Sequence, residues 1–174
     1  MSELLVVRLE PPNPASRCWV VVDEHGALVD AGSSSLADAA GKATGRKVIA
    51  LAPATEVLRT VVQVPVRGRA KLAQVLPFAM EEQLADDVDS LHFAPGRAGA
   101  DDPLPVAVTR RDKLAGWLGE LKENGLDAVT LYSEADGMDE LPGTGVLFIE
   151  PGRAVLRRSD GAAIATDPDG VQAA

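Results

Sequence analysis

Aromatic residues are scarce in this chain. Three Phe, two Trp and one Tyr stand among 174 residues, so Val, Leu and Ala must fill whatever core it builds. Cysteine is rarer still: Cys18 is alone, which excludes an internal disulfide and points to a reducing compartment. Lying in the apolar run 18–22, it is expected to be a buried, inert thiol. The two histidines, His25 and His92, are far apart in sequence with one cysteine elsewhere, too little for a zinc site. Positive charge is also short. Lys and Arg number 17 against 26 Asp and Glu, a net charge of −9. That balance disfavours nonspecific binding to nucleic acid or to an anionic membrane surface and favours a basic partner, although it also serves solubility. No run approaches the ~18 apolar residues of a membrane helix. The N-terminus carries Glu3 and Arg8 without a long apolar core, so it is not a signal peptide. The chain as given reads as soluble and cytosolic, of a length for one ordinary domain or two small ones.

What is present concentrates between Pro65 and Phe93. Leu72, Val75, Leu76, Ala79 and Met80 follow the spacing of an apolar helical stripe. Pro77 falls inside that pattern, where it removes a hydrogen bond and crowds the preceding turn, so a kink or break is expected. Five carboxylates then occur in nine residues: Glu81, Glu82, Asp86, Asp87 and Asp89. Phe78 falls off the stripe on an ideal wheel, nearer Glu81 and Glu82, the position of an interface anchor unless the Pro77 kink turns it inward. These residues carry no evident reaction chemistry. They suit docking.

The rest alternates short strands with helices. Strands are expected at 4–9, 17–22, 27–31 and 47–51, the second and third joined by the turn formers Asp23 to Gly26. Ser35 and Asp38 form a capping box for a short helix. Further strands are expected at 57–64, 106–108 and 126–132. Thr109 and Asp112 make a second capping box before the stripe Leu114, Trp117, Leu118 and Leu121, and Ser133 opens one more helical turn. A further pair, 146–149 and 154–157, flanks Pro151 and Gly152.

Three stretches carry a family resemblance: VIALAPATEVLRTVVQVP (48–65), LPFAMEEQLADDVDSLHF (76–93) and PVAVTRRDKLAGWLGEL (105–121). They resemble the cytoplasmic region of type II secretion system protein L (the GspL family), and the opening MSELLVVRL fits its start. The middle block is the most specific. The related actin-like adaptor of type IV pili is a weaker match, because EEQLADDVDSLHF argues against it. The resemblance implies an α/β fold of the actin-like, ribonuclease-H-like kind. Residues 1–54 with 109–140 would form a first ribonuclease-H-like subdomain, 55–108 an inserted subdomain, and 141–174 the incomplete start of a second unit. Members of the family are longer, with a membrane helix and a periplasmic domain, so the chain reads as a part that stops before both.

An active actin-like ATPase holds phosphates in two turns that typically carry Asp-x-Gly, giving close backbone approach and a carboxylate for hydrated Mg²⁺. Here the first turn is Arg8–Pro14, with three prolines and no glycine, and the second is Glu150–Arg153, with one carboxylate and one glycine. Both cradles read as dismantled. The alternative function, a divergent actin-like ATPase or small-molecule kinase, would need them intact. Asp86, Asp87 and Asp89 lack the glycine-turned loop and spaced Glu of a calcium hand, and read as a solvated or partner-facing turn. Ser33, Ser34 and Ser35 lack a nucleophile elbow. Arg153, Arg157 and Arg158 read as a basic edge or an ordinary charged strand.

No catalytic, cofactor or metal residues are therefore assigned. The resemblance implies a non-enzymatic adaptor on the cytoplasmic face of the bacterial inner membrane. It would hold the secretion ATPase (the E protein) through that protein's N-terminal domain, beside platform partners such as the M and F proteins, with a homodimer possible in principle. Phe78, Glu81, Glu82, Asp86, Asp87 and Asp89 are the expected partner-binding residues.

Overall fold

A computed structural model describes residues 3–9, 16–65, 68–99, 102–126, 129–139 and 143–169. The chain divides into two compact units, 1–53 with 115–137, and 54–114 with 138–174.

The first unit is built on β1 (Leu4–Arg8), β2 (Arg17–Val22), β3 (Leu28–Ser34), α1 (Leu36–Ala40) and β4 (Lys47–Ala52). The first three strands form an antiparallel meander, with Val6 opposite Val20 and Val20 opposite Ala31. The β2–β3 turn closes because the Asp23 carboxylate accepts from the backbone N–H of His25 and Ala27, an Asx turn. Gly26 supplies the positive φ of 81° that a side chain would resist. Helix α1 starts at the expected capping box: Ser35 Oγ accepts from the Asp38 N–H at 3.1 Å and donates to the Asp38 carboxylate at 2.6 Å. β4 returns parallel to β1.

Its core joins Leu5, Val7, Trp19, Val21, Leu36, Ala39, Val48, Ala50 and Leu121. Trp19 replaces several missing aromatics at once. Its ring lies over Gly32, its indole N–H donates to Ser34 Oγ at 3.0 Å, and the Lys42 ammonium stands 4.9 Å from the ring centroid.

The second unit is a six-stranded sheet. β5 (Leu58–Val62) is followed by α2 (Arg69–Met80), β6 (Leu91–Pro95), β7 (Leu104–Arg110) and α3 (Arg111–Glu123), whose later turns count with the first unit. β8 (Val129–Ser133) runs parallel to β4 and completes the first sheet in the order β3-β2-β1-β4-β8. A 3₁₀ turn at Glu134–Gly137 follows, the turn expected after Ser133. The chain then adds β9 (Val146–Glu150), β10 (Arg153–Arg157) and β11 (Ala163–Thr166). The second sheet has the order β6-β7-β5-β11-β10-β9. The class is α/β with two sheets, as the sequence implies. Residues 146–166, expected to open a unit apart from 55–108, share one sheet with it through Ala163 opposite Arg59.

Several local expectations fail, each for a visible reason. Thr109 and Asp112 do not cap α3. Thr109 lies in β7 and its hydroxyl donates to the Glu56 carbonyl at 2.8 Å, while Asp112 holds Arg110. Cys18 is exposed, because β2 alternates and Trp19 and Val21 take the inward positions. In α3 only Leu121 of the expected stripe is buried; Trp117 packs half-buried against the first core and Leu118 is exposed. The segment 91–95, for which no element is expected, is a strand paired with β7.

Candidate functional site

Helix α2 and the acidic segment after it form the surface of interest. Leu72, Leu76 and Met80 are buried against Val106, Val108 and Leu91, one apolar residue per turn. Ala79, expected in the same stripe, is exposed. Pro77 does not break the helix, which runs unbroken to Met80. The hydrogen bond it deletes would have gone to the carbonyl of Ala73, an exposed residue whose oxygen water can serve.

Phe78 is 77% exposed. It sits two residues from Leu76, about 200° around the helix from the buried stripe. The inward rotation by Pro77 does not occur, so a large aromatic stands in solvent on a helix whose opposite face is anchored.

Two single-turn 3₁₀ segments continue the chain, Glu81–Gln83 and Val88–Ser90. Glu81, Glu82, Asp86, Asp87 and Asp89 are all exposed. Asp87 also serves the local backbone, because its carboxylate accepts from the Asp89 N–H at 2.9 Å and caps the second turn. The Asp89 carbonyl in turn accepts from Arg111 Nε at 3.1 Å. Phe78 and the five carboxylates thus all stand exposed along the stretch 78–89, with four carboxylates uncommitted to capping.

The basic residue that ends β7 is compensated. Arg110 donates to both oxygens of Asp112, at 3.0 and 2.9 Å. That hydrogen bonding, then the Lys113 N–H, pulls the Asp112 carboxyl down to about 2. His92 titrates below its ordinary value, first because burial disfavours its charged form and then because Arg111 is near.

The two phosphate turns fare differently. Residues 10–14 of the first lie outside the described residues. Arg8, at its edge, donates to the Glu134 carboxylate. The second is the β9–β10 hairpin, where Gly152 adopts a φ of 77°. The carboxylate this turn would offer a hydrated cation is engaged: Glu150 and Arg153 form an ion pair of 2.6 Å, both side chains largely buried. The basic edge does not form there either, because Arg157 is buried and donates to the Met138 carbonyl, and Arg158 pairs with Asp160. Among the described residues no cluster of three or more His, Cys, Asp or Glu is arranged to hold a metal ion. His25 is exposed at the β2–β3 turn.

Sequence reading missed a groove in the second unit, between β5, β7 and the loop 83–86. It also missed the exposure of Leu147, Phe148 and Ile149 on β9. The continuous apolar run 146–149 was a signal for the second, although it announced a strand meant to be covered. The groove had no signal, since it depends on which strands become neighbours.

Residues 5–168 match the family model for type II secretion system (T2SS), protein L. Among curated relatives named type II secretion system protein L, that of Dickeya chrysanthemi is 30% identical over 138 residues, covering 76% of this chain and 34% of its own length. That of Pseudomonas aeruginosa is 41% identical over 93 residues, covering 53% and 24%. That of Vibrio cholerae is 30% identical over 132 residues, covering 73% and 32%. The chain thus spans about a third or less of the length of these relatives. Among solved structures, the cytoplasmic domain of EpsL, an inner membrane component of the Vibrio cholerae type II secretion system, superposes with a TM-score of 0.81. It is 24% identical, and the match covers 99% of this chain and 74% of that one. A PilM–PilN type IV pilus biogenesis complex gives a TM-score of 0.64 at 20% identity, covering 97% and 62%. At these identities the two structures speak for the fold, which is of the actin-like kind.

Proposed function

The chain belongs to the type II secretion system protein L family, and from that premise we propose that it is a non-enzymatic adaptor. It recruits the secretion ATPase, through that protein's N-terminal domain, to the inner-membrane assembly platform. The observation that carries this reading is the exposure of Phe78 beside Glu81 and Glu82 on a helix whose other face is fully packed. An exposed aromatic flanked by charge on a rigid element is the composition of an interface anchor. Five clustered carboxylates repel one another, so a basic partner relieves that repulsion while adding attraction, and steers encounter.

The EpsL neighbour is the cytoplasmic domain of an inner membrane component, and this chain takes the same face of the membrane. Among its described residues no helix is long and apolar enough to cross a bilayer. The PilM neighbour is solved with PilN, which supports further platform partners for this chain, the M and F proteins among them. The Glu150–Arg153 pair in the second turn favours the adaptor over an ATPase or kinase, since the carboxylate that would hold hydrated Mg²⁺ is already paired.

Co-purification with the isolated N-terminal domain of the cognate ATPase tests the reading, and a complex is expected. Calorimetry with Mg-ATP is expected to show no saturable heat. Saturable micromolar binding of Mg-ATP, or failure to retain the ATPase domain, would overturn it.

A further inference from the structure

The groove of the second unit has a volume of about 250 Å³. Leu91 and Val108, both buried, form its deep wall, and Leu84 and the 43% exposed Leu58 flank it. Around these apolar surfaces stand Glu56, Gln83, Asp86 and Arg110. Their charges are not equally available. Arg110 is gripped by both oxygens of Asp112, and Glu56 accepts from Lys113 at 3.1 Å. The Arg110 pKa is raised by Asp112 first and by Asp86 at longer range. Among the described residues Asp86 makes no hydrogen bond or close ion pair, and it acts on Arg110 only through space. The groove therefore offers an apolar channel beside the Gln83 amide and a carboxylate that has no hydrogen-bonded or close ion-pair partner among the described residues.

We propose that this groove is the socket for an arginine side chain of the docking partner. The proposal rests on the adaptor reading and names where that partner anchors. An arginine stem is apolar and lies against Leu58 and Leu84 while its head stays polar. Its planar guanidinium offers several donors at once, to Asp86 and to the Gln83 carbonyl, and is less strongly hydrated than an ammonium. A purely apolar occupant would strip water from Asp86 without giving it a partner, which is costly. An acidic occupant would meet Asp86 with like charge, since Arg110 is already compensated. The site adjoins the acidic stretch 81–89, so steering and anchoring fall on one continuous segment of chain.

Two measurements test this. In the first, the chain is titrated with N-acetyl-arginine methylamide and, separately, with its norleucine counterpart, followed by two-dimensional NMR. The arginine probe is expected to give saturable shifts confined to the neighbourhood of Leu58, Leu84, Asp86 and Val108. Those shifts should be lost in Asp86→Asn and absent with the norleucine probe. In the second, Leu58→Trp, which fills the groove, and Asp86→Asn are each expected to weaken binding of the ATPase N-terminal domain about tenfold, as loss of an anchor contact does. Both positions are solvent-facing, and an unchanged unfolding midpoint establishes that the variants are folded. Absence of saturable arginine shifts overturns the socket. So does undiminished ATPase binding by both variants while Glu81→Lys with Glu82→Lys weakens it, a result that leaves the adaptor reading standing. If the unmodified chain binds no ATPase domain, the adaptor reading fails and the arginine titration alone decides the groove.

Discussion

Two antiparallel meanders in this protein begin with similar apolar runs and meet different fates. β1 (LLVVR) lies between β2 and β4, with Leu5 and Val7 fully buried. β9 (VLFIE) pairs with β10 at the edge of the second sheet, where Leu147, Phe148 and Ile149 are 41%, 45% and 58% exposed. Composition does not separate them. Position in the sheet does: β1 is paired along both edges, whereas β9 is paired along one only. The difference teaches that an apolar run states what a strand tolerates, whereas its neighbours decide what it contributes. The same rule governs α2, where Leu76 is locked in the core and Phe78, two residues on, is left in solvent.

The contrast predicts unequal costs. Leu5→Ala should destabilise the protein by about 2–5 kcal/mol, the range for a buried leucine that leaves a cavity. Ile149→Ala on the exposed strand should cost about 0.5 kcal/mol or less. Chemical denaturation of both variants checks this, and equal losses would mean that β9 is covered in solution. On α2, Leu76→Ala should again cost about 2–5 kcal/mol, while Phe78→Ala leaves the unfolding midpoint within about 0.5 kcal/mol of the unmodified protein.

A smaller effect sharpens the picture of the first meander. A Cβ at Gly32 would stand 2.6 Å from the Trp19 ring. Gly32→Ala should therefore cost about 1–3 kcal/mol through overpacking, with a change in tryptophan fluorescence. An unchanged spectrum and midpoint would show that Trp19 can move aside.

The smallest effect is a slope with pH. Burial holds the His92 pKa below its unfolded value, so the unfolded chain binds the proton more readily. Stability from this source is fully present above the unfolded pKa and falls as pH drops below it, near 6.5. His92→Gln should flatten that part of the stability–pH curve. Asp112 offers a parallel check: its titration midpoint, about 2, should return toward the ordinary carboxylate range in Arg110→Ala.

Much of the fold was legible because local chemistry matched the final neighbours. The Asp23–Gly26 turn, the Ser35–Asp38 capping box and the buried face Leu72, Leu76 and Met80 all depend on residues close in sequence. Thr109 and Asp112 show the limit. The capping pattern was present, but Glu56, distant in sequence, claimed the Thr109 hydroxyl and Arg110 claimed Asp112. Cys18 shows another: a continuous apolar run does not reveal which face of the strand looks inward. For the candidate site, the acidic stretch was readable from composition; the helical angle put Phe78 off the buried stripe, but a kink at Pro77 left its exposure open until the helix proved unbroken. The groove beside Asp86 was not, because Leu58, Leu84 and Val108 meet only through sheet order.

The central claim is that the stretch from Phe78 to Asp89 docks the secretion ATPase. Stopped-flow association of the isolated ATPase N-terminal domain with the unmodified chain and with Glu81→Lys/Glu82→Lys, at low and moderate salt, tests it most directly. Interfacial charges act mainly on the association rate and are screened by salt. Slower association is expected for the double variant at low salt, with a gap that narrows as salt rises and an unchanged unfolding midpoint. Equal association rates at both salt concentrations would contradict the claim and move the docking site elsewhere on the chain.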